Sequence, residues 1–303
     1  MGGLRELLRP PPHRGPLIAA GAVALAVGVT VTVLRLGESM VTAAILLVTG
    51  ALLYWLGAQA PNEDGEPPAY QSVLIAGALP LLLAGLIVLG SGSEDPGAGT
   101  LLWTSAVVGA LALWPAFERN SAISLLIAAI LGGVVLIAAS SLVLDSPSRV
   151  LMAIYALALV LCGLALREPA RRHAEVLIDA AGLTIAWIAA GPFLFEDEHL
   201  PVFWEIVVLG AGFGLVAFGA VDRSPGPAYL GVVNLALFIL VVSNDDDLLW
   251  WPVILLAGGI AMLAAGLRPR RPLPPEPDPY RAGEAPLAAR ADEDEIVVRV
   301  RRD

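Results

Sequence analysis

At 303 residues, 57% hydrophobic and only 15% charged, with a mean hydropathy of +0.77, the chain carries more apolar surface than its polar groups could cover in water. That excludes a soluble globular domain. The net charge of −10 averages over charges confined to loops and termini, and the single Cys162 excludes an intrachain disulfide and a cysteine-based metal site.

Residues 1–15 read as a short cytoplasmic segment containing Arg5, Arg9 and Arg14. Ten apolar runs follow, at 16–36, 40–60, 71–90, 100–117, 121–144, 150–166, 174–195, 202–221, 228–243 and 248–267, of which the sixth and ninth are short. A hydrocarbon core about 30 Å thick needs roughly 20 apolar residues at helical rise. The runs are continuous rather than alternating, so helices and not barrel strands must satisfy the backbone in lipid. The first run is too long for a cleavable signal and lacks a small-x-small site after it, so it reads as a retained anchor. The expected fold is an all-α, polytopic transmembrane bundle of about ten spans over residues 16–267.

Loops of mostly three to twelve residues make consecutive helices antiparallel neighbours. Small residues four apart, as in Gly210 with Gly214 and Ala257 with Ala261, offer close helix approach. Five spans plus five fit the length, and such an odd-numbered repeat would be inverted across the membrane, a common transporter plan. Its faint sequence echo runs from Thr42 to Pro61 and from Asp179 to Pro192.

All 18 basic residues are arginines. With ten spans, Arg5, Arg9, Arg14, Arg119, Arg167, Arg171, Arg172, Arg223, Arg268, Arg270 and Arg271 share one side, against Arg35 and Arg149 on the other. The positive-inside rule then places both termini in the cytoplasm. The outer loops are acidic, as at Glu196–Asp197–Glu198 and Asp245–Asp246–Asp247, while the Arg-free loop Asn62–Glu66 runs against the rule. Most tryptophans fall near run ends, and Trp187 alone reads as a packed core residue. After Leu267 the proline-dense segment Arg268-Pro-Arg-Arg-Pro-Leu-Pro-Pro begins a tail, residues 268–303, expected to be extended and disordered. Alternation at Ile296, Val298 and Val300 makes that tail a candidate docking strand for a protein partner.

Few polar residues lie inside the runs. Asp179 is the deepest full charge, about 7–8 Å from the cytoplasmic end of the seventh span at helical rise. Glu175 and Arg171 precede it on the same face, and Arg172 lies seven positions back, so the carboxylate is expected to snorkel and pair, or else to serve as a proton or cation site. Glu205 reads as an interfacial carboxylate one turn into the eighth span, roughly 17 Å from Asp179 along the bilayer normal. Asn234, at nearly the depth of Asp179, would hydrogen-bond to it if spans seven and nine touch. Pro80, Thr30 and Thr32 could mark a kink and a polar lining. His13, His173 and His199 fall in termini or loops, and no His-Glu-x-x-His or Gly-x-Ser-x-Gly motif occurs, which disfavours an enzyme. No catalytic residue, metal, cofactor or nucleic-acid partner is expected.

The stretch Ala217-Phe-Gly-Ala-Val-Asp-Arg-Ser-Pro-Gly-Pro-Ala-Tyr-Leu-Gly-Val-Val-Asn234 resembles uncharacterised multi-span proteins of GC-rich bacteria, a resemblance that implies no activity. It places the chain in a bacterial cytoplasmic membrane. Two functional expectations follow. The first is a structural or accessory membrane protein, the second a small-molecule transporter with Asp179 as its coupling site.

Overall fold

The computed structural model describes residues 15–36, 39–60, 68–92, 95–144, 149–195, 201–242, 257 and 259–260. Among these the chain forms nine helices and no strand: α1 Gly15–Leu36, α2 Met40–Gln59, α3 Ala69–Ser91, α4 Ala98–Glu118, α5 Ala122–Leu144, α6 Arg149–Ala165, α7 Arg171–Phe195, α8 Val202–Asp222 and α9 Pro225–Val242. Seven are long and apolar enough to cross a membrane, and α6 and α9 are the short ones. Apart from residues 257 and 259–260, the tenth expected run lies outside the described residues, as does the tail.

Every pair of consecutive helices is in contact, as the short loops require. The remaining contacts have an order of their own. Each extensive pair within α1–α5 recurs four helices later: α1–α2 as α5–α6, α1–α3 as α5–α7, α2–α3 as α6–α7, α3–α4 as α7–α8, α3–α5 as α7–α9, and α4–α5 as α8–α9. Helices α3 and α7 are thus equivalent hubs, and α5 closes one unit while opening the next. The contacts follow a period of four helices rather than the expected five. An even period leaves both units running in the same direction across the bilayer, without inversion.

Buried positions register the two units residue by residue. On the hubs, Leu74, Ile75 and Ala78 correspond to Leu177, Ile178 and Ala181, all buried. On α2 and α6, Leu46, Gly50, Leu53 and Gly57 correspond to Met152, Ala156, Leu159 and Gly163. The contacts agree. A Cβ on Gly57 would lie 3.1 Å from Ile75 Cγ1, and a Cβ on Gly163 would lie 2.9 Å from Ile178 Cγ1. Small residues here let helix axes approach in a medium that supplies no hydrophobic drive between helices.

The turns are alike, with the second closing one residue sooner. Asn120 (φ 52°) and Arg223 (φ 56°) take left-handed backbone at the ends of α4 and α8. Buried Ser121 and Ser224 follow, their amides donating to the carbonyls of Pro115 and Gly219, each at 3.1 Å. These C-terminal turns recover carbonyls that a helix end would otherwise leave open.

Several expectations fall to packing. Gly210 and Gly214 meet nothing within 4 Å, whereas a Cβ on Gly231 would lie 2.7 Å from the carbonyl oxygen of Gly212. The close-approach face of α8 therefore carries Gly212, two positions from the glycines singled out. Trp187 is 48% exposed and faces outward rather than into a core. Pro80 is exposed within a continuous α3. Thr30 and Thr32 donate to the carbonyls of Ala26 and Gly28 one turn back, so both hydroxyls are satisfied within α1 and line no path.

Candidate functional site

The starts of α3, α5, α7 and α9 lie at one end of the bundle with the ends of α2, α4, α6 and α8, and this end carries Arg119, Arg167, Arg171, Arg172 and Arg223, against Arg35 and Arg149 at the other. Arg119, at the end of α4, donates to the carbonyls of Ala60 (2.8 Å) and Ala58 (2.6 Å), tying α4 to the end of α2. The second unit makes an equivalent tie with the donor on the other helix: Arg167, after α6, pairs with Asp222 at the end of α8. Arg171 donates to the Asp222 carbonyl at 2.8 Å and to Glu175 at 3.2 Å. His173, expected in a loop, sits in the first turn of α7 with Nε2 3.2 Å from the Ala116 carbonyl.

Asp179 does not follow the expected pairing with Arg171, which is turned toward Glu175 and Asp222. Its carboxylate lies over Gly226 at the start of α9, where a Cβ would stand 2.6 Å from Oδ2. Only glycine leaves room there. The positive end of the α9 dipole suits a carboxylate, although Pro225 and Pro227 on either side of Gly226 have no N–H to offer. Oδ1 of Asp179 is buried and accepts no hydrogen bond from a described residue.

Helices α7 and α9 do touch, but Asn234 does not bond Asp179. Its Nδ2 donates to the carbonyls of Gly182 (3.1 Å) and Leu230 (3.0 Å), and its side chain is fully buried. The amide reaches α7 one turn beyond Asp179, because α9 crosses α7 with Gly226, not Asn234, against the carboxylate. Glu205 lies in the first turn of α8, one turn into the span as expected, and at 2% exposure its side chain is packed inside the protein. Since α8 starts at the opposite end of the bundle from α7, Glu205 and Asp179 remain apart. The structure joins Asp179 to Asn234 only through α7 and α9, and Arg172 is exposed at the start of α7.

Gln71 was not singled out by its sequence context, yet it is fully buried at the start of α3. Its Nε2 donates to the Gly57 carbonyl at 2.9 Å, joining α2 to α3. An amide just inside an apolar run was the available signal. A second missed element is a pair. Tyr54 on α2 donates its hydroxyl to the Leu111 carbonyl on α4 at 2.8 Å. That carbonyl would ordinarily bond the amide four residues on, but residue 115 is proline and has none. A proline inside a span signals a freed carbonyl; its partner could not be read without the fold.

In the second unit a cavity of about 390 Å³ lies over α7 between α6 and α8. Its lining is almost wholly aliphatic and includes Val160, Ile178, Gly182, Gly214, Leu215 and Phe218, but neither Asp179 nor Asn234. No protein-family model, no curated protein and no solved structure matches this chain.

Proposed function

We propose that the protein is a non-enzymatic integral membrane protein of the bacterial cytoplasmic membrane, its bundle acting as a scaffold. On this reading the Arg-rich end and both termini face the cytoplasm, and residues 268–303 dock a protein partner. The observation that carries it is the use of the intramembrane amides: Gln71 and Asn234 are each bonded to a backbone carbonyl of a neighbouring helix. Polar groups spent on interhelical bonds hold a bundle closed rather than lining a substrate path. The described cavity is correspondingly apolar and reaches neither candidate polar residue.

Reconstitution into liposomes loaded with a pH-sensitive dye tests this. The scaffold reading expects proton movement no faster than in empty liposomes, with or without an imposed potential, and no change in Asp179→Asn. The second reading, a transporter coupled through Asp179, draws on its buried, unbonded Oδ1. Flux above the empty control that Asp179→Asn abolishes would establish that reading instead. The side assignment has its own test, in a Cys162→Ala background. A cysteine at Asn120 should resist a membrane-impermeant maleimide added to intact cells, and a cysteine at Asp95 should react.

A further inference from the structure

The apolar cavity of the second unit has an internal counterpart that shows what fills such a place. The register of α2 on α6 sets Tyr54 opposite Val160, and the C-cap amides of Arg119 and Arg223, which bond the Pro115 and Gly219 carbonyls, register α4 on α8 with Leu111 opposite Leu215. Both Val160 and Leu215 line the cavity. In the first unit the corresponding space is crossed by the Tyr54 side chain, which packs against the α3–α4 core and bonds the Leu111 carbonyl. Three other lining positions are smaller, with Gly182 where α3 has Leu79, Ala153 where α2 has Leu47 and Val207 where α4 has Trp103, while at the α6 rim Leu157 and Leu164 stand where α2 has Ala51 and Ala58.

The polar half of the Tyr54 bond is gone too. Gly219 stands where the first unit has Pro115, and it restores the amide that the Leu215 carbonyl needs within α8. Space has opened, and no freed carbonyl remains in it. The occupant is therefore apolar throughout, with no call for a hydroxyl. Beyond the cavity, the Arg167–Asp222 pair straps the end of α6 to the end of α8. Leu157 and Leu164, on the cavity's α6 wall, are 58% and 45% exposed toward the bilayer.

We infer that this groove is a binding site for one hydrocarbon chain of a bilayer phospholipid, entering between α6 and α8 and lying on Ile178, Ala181 and Gly182 of α7. A volume of about 390 Å³ is in the range of roughly 300–1,000 Å³ that ligand pockets occupy. Left empty, it would forfeit the dispersion contacts of its entire lining. Flexible chains in the surrounding lipid can supply them. The inference stands independently of the scaffold reading, since its assay measures lipid contact and not flux.

The test uses the full chain in phosphatidylcholine nanodiscs doped with phosphatidylcholine bearing a diazirine on one acyl chain. After irradiation, labelled positions are mapped by mass spectrometry. Labelling per exposed residue should be several-fold higher on peptides 153–164 and 207–218 than on the lipid-facing side of α1, and unlabelled phosphatidylcholine should compete with it. Val160→Tyr, which restores the first unit's filler, should remove the excess and leave α1 labelling unchanged. Should that variant misfold, Ala153→Leu plugs the same groove with the side chain found at Leu47 and carries the same expectation. Labelling of the groove no greater than that of α1, or an excess that neither filled variant reduces, overturns the inference. So does stronger labelling by a diazirine-bearing phenol than by the acyl chain, because a ring with a donor would then be the occupant.

Discussion

The two units share a contact plan but solve it with different chemistry. In the first, the hub α3 carries Gln71, and α2 is held to α4 by Tyr54 and Arg119. In the second, the residue matching Gln71 is Ala174, the one matching Tyr54 is Val160, and the polar burden moves to the α7–α9 face as Asp179 and Asn234. Their counterparts in the first unit are Ala76 and Leu131. Both units are tied at the Arg-rich end, but within the bundle one is tied across α2 and α4 by Tyr54 and filled, while the other is tied across α7 and α9 and grooved. A four-helix plan set by apolar burial tolerates relocation of its polar links, because each link contributes only about 0.6–2 kcal/mol in a membrane.

Exchanging residues between matched positions breaks or sharpens that comparison. The largest effect is expected at Gly231, whose counterpart Ala128 has a Cβ. In Gly231→Ala the new methyl would meet the Gly212 carbonyl and the Val216 amide nitrogen, each at 2.7 Å, and backbone yields little. A loss of about 1–3 kcal/mol or more follows from such overpacking, measurable as a lower midpoint in denaturant titration of the detergent-solubilised protein. Ala128→Gly should cost less, about 1 kcal/mol in helix propensity. Equal effects would mean that the register is wrong.

Next comes Gln71→Leu, which leaves the Gly57 carbonyl without its side-chain donor and should cost about 1 kcal/mol. Tyr54→Phe deprives the carbonyl freed by Pro115 and should cost about 0.6–1.7 kcal/mol. In the double variant Tyr54→Phe/Pro115→Gly that cost should shrink, since glycine returns the helix amide; an unchanged cost would show that the hydroxyl was not serving that carbonyl. Smallest is Asp179→Ala, which installs the first unit's residue. Removing a half-buried carboxylate whose Oδ1 has no hydrogen-bond partner among the described residues should leave stability unchanged or raise it. A clear loss in the same titration would show that the contact with the α9 terminus is net stabilising.

Element identity was legible throughout the described chain, down to the short sixth and ninth helices, because a bilayer forces every long apolar run into a helix. Asp179, Glu205 and Asn234 stood out for the same reason: polar groups in apolar runs are few. Their partners were not legible. Whether Asp179 meets Asn234 or Gly226, which lie eight residues apart on α9, depends on where α9 crosses α7. The five-helix repeat was read from length and a faint echo in a small alphabet, whereas the four-helix period emerges from which helices touch. Glycine pairs misled similarly, since Gly210 with Gly214 has the spacing for close packing but points to open space.

By itself the sequence determined that this chain lives in a membrane as a bundle of helices, since hydrophobicity and length are local properties that the solvent reads directly. Tertiary structure alone decided which unit is filled and which is grooved. Tyr54 with Leu111 and Pro115, and Val160 with Leu215 and Gly219, lie far apart in the chain and acquire meaning only when α2 faces α4 and α6 faces α8 across their hubs.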